Sequence, residues 1–247
     1  MGKVLDLIVG SRLKGPILFG LVDPATLLRS SQILKVLETY GSVFDFILVG
    51  GSTSVWQTQV ETSIAAIRSR TNKPIIIFPG GLTNLTPMAD AVLFMSLMNS
   101  SNTFYLVEQQ FQAAPIIRQM GLEPISTAYI IVGQGGTAGY VGHARPIPYE
   151  KKELACAYAM AAQYFGFKLV YLEAGSGSGQ PVPAELVSAV KSSVDIPVIV
   201  GGGIRRIDQY EEAVTAGADG VILGNVLENF DEAKLLLEPI RQRLAGR

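Results

Sequence analysis

Tyr171 and Glu173 stand two residues apart at the end of the apolar run Lys168 to Glu173, and the chain then turns through Gly175-Ser176-Gly177. Residues i and i+2 of a strand share a face, so a phenol and a carboxylate are presented together beside a turn rich in N–H donors. A carboxylate there can orient or deprotonate a hydroxyl of a bound molecule, and it can equally cap the loop. Further on, Gly201, Gly202 and Gly203 directly follow a second apolar run, and Gly224-Asn225 closes a third. Glycines let backbone N–H groups approach an anion without side chains in the way. One such cluster is met by any tight turn. Two on consecutive runs predict a phosphate cradle in which backbone donors replace most cationic side chains.

A second set of residues lies early in the chain. Asp23-Pro24 ends one run, and Gly50-Gly51-Ser52-Thr53 ends the next. Asp23, with the hydroxyl or backbone oxygens of Ser52 or Thr53, has the chemistry to hold Mg2+. Asp before Pro is equally suited to capping the turn that follows. Of the apolar residues between Leu82 and Met98, most belong to a core, and Trp56, Phe94, Met98 and Phe104 are candidate walls of a trough for a hydrocarbon tail. Residues 133–148, GQGGTAGYVGHARPIP, read as a lid or as a plain surface loop. Arg145 within it and Lys151 just after it are candidate partners of a diphosphate. His143 is the only histidine, which excludes a zinc cluster or a serine–histidine triad. Lys168 begins its run, at the wrong end for a Schiff base.

These groups need a frame. Eight runs are nearly continuous in hydrophobicity, as strands covered on both faces must be: Ile17 to Val22, Phe44 to Val49, Pro74 to Phe78, Ala91 to Ser96, Glu123 to Val132, Lys168 to Glu173, Ile196 to Val200 and Gly220 to Leu223. Ser31 to Tyr40, Gln59 to Thr71, Phe111 to Met120, Lys151 to Phe165, Pro183 to Ser192 and Asp208 to Ala216 carry apolar residues three and four apart, as outer helices do. Phe230 to Leu244 adds a final amphipathic segment. The link between the third and fourth runs has room for a turn or a short helix only. The alternation predicts an α/β chain forming a single TIM (β/α)8 barrel over residues 1–247, with its site at the C-terminal strand ends. An open doubly wound sheet would want its glycine fingerprint after the first strand, where Gly15 and Gly20 lack that pattern.

Hydrophobic residues make up 48% of the chain and charged ones 17%, a composition that excludes disorder. The net charge of -1, with no run of Lys and Arg, excludes nucleic acid as a partner. The single cysteine, Cys156, has no internal disulfide partner. With no signal-peptide pattern and no run approaching a membrane span, a cytoplasmic location is expected.

At YLEAGSGSG and VGGGIR the chain resembles the family of geranylgeranylglyceryl phosphate and heptaprenylglyceryl phosphate synthases. The likeness continues through Asp23-Pro24, Gly50-Gly51-Ser52, Phe78-Pro79-Gly80, Ala89-Asp90-Ala91-Val92, Asn99-Ser100, Pro146-Ile147-Pro148 and Gly224-Asn225. It implies a TIM-barrel prenyltransferase joining a polyprenyl diphosphate, expected to be geranylgeranyl, to the 3-hydroxyl of sn-glycerol 1-phosphate. By that resemblance Tyr171, Ser176, Gly203, Gly224 and Asn225 hold glycerol phosphate, and Glu173 accepts the hydroxyl proton. Asp23 and Ser52 or Thr53 bind Mg2+ bridging to diphosphate. It also implies a homodimer or homohexamer, and a lipid product allows transient contact with a membrane surface.

One stretch departs from the family. A basic residue commonly follows Asp-Pro, but here the chain reads DPATLLRS, leaving Arg29 as a displaced candidate for the diphosphate. That departure keeps open a variant that prenylates 3-phosphoglycerate in antibiotic biosynthesis. A phosphosugar isomerase would need a second acid–base group opposite Glu173. A phosphometabolite-binding barrel would need neither turnover nor a divalent ion beside Asp23.

Overall fold

A computed structural model describes residues 2–51 and 56–245. Eight parallel strands pair in chain order: β1 (Ile17–Val22), β2 (Phe46–Val49), β3 (Ile75–Ile77), β4 (Ala91–Leu97), β5 (Glu123–Ile131), β6 (Leu169–Glu173), β7 (Val198–Gly201) and β8 (Gly220–Leu223). Because β8 pairs with β1, the sheet closes into the expected barrel and has no edge, which removes the doubly wound alternative. The helices are α1 (Lys3–Arg12), α2 (Pro24–Leu27), α3 (Gln32–Tyr40), α4 (Gln57–Arg68), α5 (Gln109–Met120), α6 (Gly136–Val141), α7 (Lys152–Phe165), α8 (Ala184–Ser193), α9 (Ile207–Thr215) and α10 (Phe230–Ala245). Among the described residues no helix is long and apolar enough to cross a membrane.

Alternate strand residues fill two layers. Phe19, Phe46, Leu48, Leu93, Tyr129 and Tyr171 meet inside the ring. Leu18, Ile47, Val49, Leu172, Val200 and Leu223 face the helices. Both faces are dry, and this is why the strands read as unbroken apolar runs.

No expectation from the sequence covers α1. It lays Val4, Leu5 and Ile8 into the inner layer, closing the N-terminal end of the barrel. Glu123, at the start of β5, accepts hydrogen bonds from Val4 N and Leu5 N, each at 2.8 Å. Two of the orphan N–H groups of the helix start are therefore satisfied from a distant element, and no local cap is needed. Nearby, Asp45, Asp90 and Asp219 precede β2, β4 and β8, and their carboxylates accept from Leu18 N (2.8 Å), Ile75 N (2.7 Å) and Val198 N (2.8 Å). This end of the barrel is stitched and plugged, and the opposite end is left for chemistry.

The ring is uneven. β4 shares seven register pairs with β5 but only two with β3. Along the upper half of β4, side chains take over from a strand ladder. Ser96 Oγ donates to Leu106 O at 2.8 Å, and Gln110 Nε2 donates to Met95 O and Tyr105 O, fastening the π-helical turn Phe104–Glu108 against the strand.

Candidate active site

The register of β6 turns Tyr171 and Glu173 into the mouth of the ring. Tyr171 Oη donates to Glu173 Oε2, while Glu173 Oε1 accepts from Gly175 N at 2.6 Å. Glu173 is 5% exposed. Burial raises its pKa above the usual carboxylate value, against the pull of the Tyr171 and Gly175 bonds. A more basic carboxylate is a better proton acceptor. Capping the loop and facing the cavity turn out to be compatible, since each carboxylate oxygen has a second lone pair.

Beside it, Gly202, Gly203, Ser176, Gly177, Gly224 and Asn225 line one small recess together with Tyr171 and Glu173. Gly202 has φ +83°, and a Cβ there would stand 2.5 Å from Glu173 Oε1. The loop can press this close to the carboxylate only as glycine. Gly201 has a different place from its neighbours. It belongs to β7 and lies against the Tyr171 phenol, where a side chain would collide, so it makes room for the ring and does not line the recess.

Asp23 divides its carboxylate. Oδ1 accepts from Ala25 N at 2.7 Å and Thr26 N at 3.4 Å, the capping arrangement, with Pro24 opening α2. Oδ2 has no hydrogen-bond partner among the described residues and lies over Gly51, whose lack of a side chain leaves it room. Asp23, Glu173 and Glu228 line the same polar cavity as Gly224 and Asn225. The pKa of Glu228 is raised, chiefly by burial and further by the charge of Asp23, while its bond from Asn225 works the other way. Two like charges on one wall, with one oxygen unengaged among the described residues, suit a hard divalent cation that takes few protein ligands and fills its shell with water and phosphate oxygens. Among the described residues no group of three or more His, Cys, Asp or Glu is gathered as a metal cluster. Ser52 and Thr53 lie outside the described residues.

Phe78 and Tyr129 line this polar cavity on one side and an apolar cavity on the other. Tyr129 stacks on Tyr171 with ring centroids 5.1 Å apart, and Phe78 meets each phenol edge-on at 6.0 Å. Burial first, and then the charge of Glu173, push both phenol pKa values well up, so both stay protonated. The apolar cavity continues past Met95, Leu97 and Tyr105 and is roofed by Ala138, Val141 and Gly142 of the loop after β5. That loop is strapped down. Asn99 Nδ2 donates to Ile131 O at 2.8 Å and Arg145 O at 2.9 Å, and Ser100 Oγ donates to Gly142 O at 2.6 Å.

None of the four expected trough walls lines this cavity. Phe94 faces outward into the layer between β4 and α5, Met98 lies past the strand against the outer core, and Trp56 is 66% exposed at the start of α4. Phe104 packs edge-on against Tyr105, which takes the wall instead. For Phe94 and Met98 the reason is strand parity: in β4 Met95 and Leu97 point inward, and a slip of one residue exchanges the faces. Nor does the structure bring Arg29, Arg145 or Lys151 to either cavity. All three are exposed. Arg29 lies beyond α2, the backbone of Arg145 is pinned to Asn99, and Lys151 precedes α7. Tyr129 and Glu228 are site residues that the sequence did not point to. The only sequence signal of Tyr129 is a polar aromatic side chain in an otherwise aliphatic strand end.

Residues 17–239 match the PcrB family. The chain is 46% identical to the geranylgeranylglyceryl phosphate synthase of Pyrococcus abyssi over 231 residues, covering 92% of this chain and 91% of that one. It superposes with a TM-score of 0.90 and 38% identity on the (S)-3-O-geranylgeranylglyceryl phosphate synthase of Thermoplasma acidophilum in complex with its substrate sn-glycerol-1-phosphate, covering 98% of this chain and 100% of the other. A wild-type GGGPS from Thermoplasma volcanium gives a TM-score of 0.91 at 36% identity, covering 100% of this chain and 99% of that one.

Proposed function

This chain belongs to the PcrB family, and from that premise we propose that it transfers a prenyl group, geranylgeranyl in the first instance, from its diphosphate to the 3-hydroxyl of sn-glycerol 1-phosphate. The observation that carries this reading is a shared wall. Phe78 and Tyr129 join an apolar cavity to a polar one, and the polar one contains Glu173 and continues into the glycine recess. An amphiphilic donor and a small phosphorylated acceptor need that succession of surfaces.

In this arrangement Gly202, Gly203, Gly224, Asn225 and Ser176 receive the acceptor phosphate, and its hydroxyl lies at Glu173. The prenyl tail runs past Met95 and Leu97, with the diphosphate toward Asp23. The bond between the allylic carbon and diphosphate oxygen breaks, and the diphosphate leaves with the electron pair. The acceptor oxygen forms the ether bond to that carbon, and its proton goes to Glu173. The ring of Tyr129, which lines both cavities, favours the positive charge that develops on the carbon, and fixing both reactants offsets the weakness of an alcohol nucleophile. Asp23, with Glu228 beside it, would hold Mg2+, which when bound supplies neutralisation of the leaving diphosphate.

The test is a transfer assay with labelled geranylgeranyl diphosphate, sn-glycerol 1-phosphate and Mg2+. The ether product is expected, it disappears on chelation, and Glu173→Gln lowers kcat by about 10²–10⁴. Product with 3-phosphoglycerate alone would assign a different acceptor. No product from any donor–acceptor pair would sink the reading.

A further inference from the structure

We propose that Tyr149, which lines neither the polar cavity nor the glycine recess, is a positioning residue for acceptor phosphate; the inference rests on the function proposed above and names a new part of the same site. The loop after β6 closes on itself. Ser178 N donates to Gly175 O at 3.0 Å, Gln180 N donates to Ser178 Oγ at 3.2 Å, and Ser178 Oγ donates to Gln180 O at 2.7 Å. The Gln180–Pro181 peptide then lies directly on Gly203, where an added Cβ would stand 2.9 Å from it. The place of Gln180 therefore sets the spacing between Ser176–Gly177 on one side of the recess and Gly202–Gly203 on the other.

Tyr149 holds Gln180 in that place from outside. Its hydroxyl donates to Gln180 O at 3.1 Å. Its ring lies on Gly133, which has φ +62° and no room for a side chain under the phenol. Gly133 is itself fixed, since its N–H donates to Ile147 O at 2.8 Å and the preceding Val132 N–H donates to Glu173 O at 2.9 Å. Tyr149 thus transmits the position of the rigid β5–β6 frame to a loop whose N–H groups must converge on an anion. Convergent donors bind well only when held in place before the ligand arrives.

Tyr149→Phe removes the hydroxyl and leaves the ring on Gly133. The KM for sn-glycerol 1-phosphate is expected to rise about tenfold, the scale of one lost hydrogen bond. The KM for prenyl diphosphate should stay within about twofold and kcat within about threefold. A calorimetric titration with inorganic phosphate, which needs no turnover, should show the same weakening relative to the wild type. Unchanged acceptor KM and phosphate affinity would overturn the inference, and so would an equal loss for both substrates, which would mark a general structural defect. If the wild type forms no product, the proposed function falls, and the phosphate titration still decides the role of Tyr149.

Discussion

At the scale of single residues, Glu173 carries opposite demands for activity and stability. Its raised pKa means that kcat/KM should fall on the acid side as pH drops through a value above that of an ordinary carboxylate, because the proton acceptor is then already protonated. For stability the sign is reversed. The folded state holds this proton more tightly than the unfolded chain, so the contribution is present below the unfolded pKa and is lost as pH rises through the folded one. Glu173→Gln should therefore raise Tm at neutral pH, with the gain vanishing in acid. Thermal scans at both pH values check this. A lower Tm at neutral pH would mean that the bonds to Tyr171 and Gly175 outweigh the cost of the buried charge. The pairing of Tyr171 with Glu173 was legible from spacing alone, but the divided work of Asp23 was not, since which oxygen faces Gly51 depends on a loop from another strand.

At the scale of elements, the strands were legible because each must be apolar on both faces, and the trough was not, for the same reason. A run such as Ala91 to Leu97 offers hydrophobic side chains at both parities, so composition cannot tell which set points inward. The register with β5 decides it, pairing Met95 with Thr127 and Leu97 with Tyr129. A pair of substitutions separates the faces. Met95→Trp should lower the rate with geranylgeranyl diphosphate by about tenfold and spare a shorter farnesyl donor. Phe94→Trp, on the outer face, should leave the ratio of the two donors unchanged. Steady-state comparison of both donors with both variants tests the assignment. A change of ratio in Phe94→Trp alone would move the tail to the layer beneath α5.

At the scale of the whole molecule, the barrel separates stability from chemistry by placing them at opposite ends. The plug formed by α1 escaped the sequence because Val4 takes its cap from Glu123, 119 residues away, so no local start signal was required. Glu123→Ala leaves two helix N–H groups without their acceptor, at a cost of about 1–2 kcal/mol. Tm should fall by about 2–8 °C with kcat unchanged, as calorimetry and the transfer assay together would show. A loss of kcat at equal folded fraction would mean that the two ends are coupled. The uneven ring has an evolutionary consequence. Around most of the barrel a change of shape must break a ladder of backbone hydrogen bonds that any sequence would make. Beyond the two register pairs that β3 shares with β4, the upper half of β4 is fastened to the turn after it by Ser96 and Gln110, side chains that single codon changes can replace. The stretch of the apolar cavity lined by Met95, Tyr105 and Gln110 is thus the one whose shape local drift can alter without breaking a strand ladder.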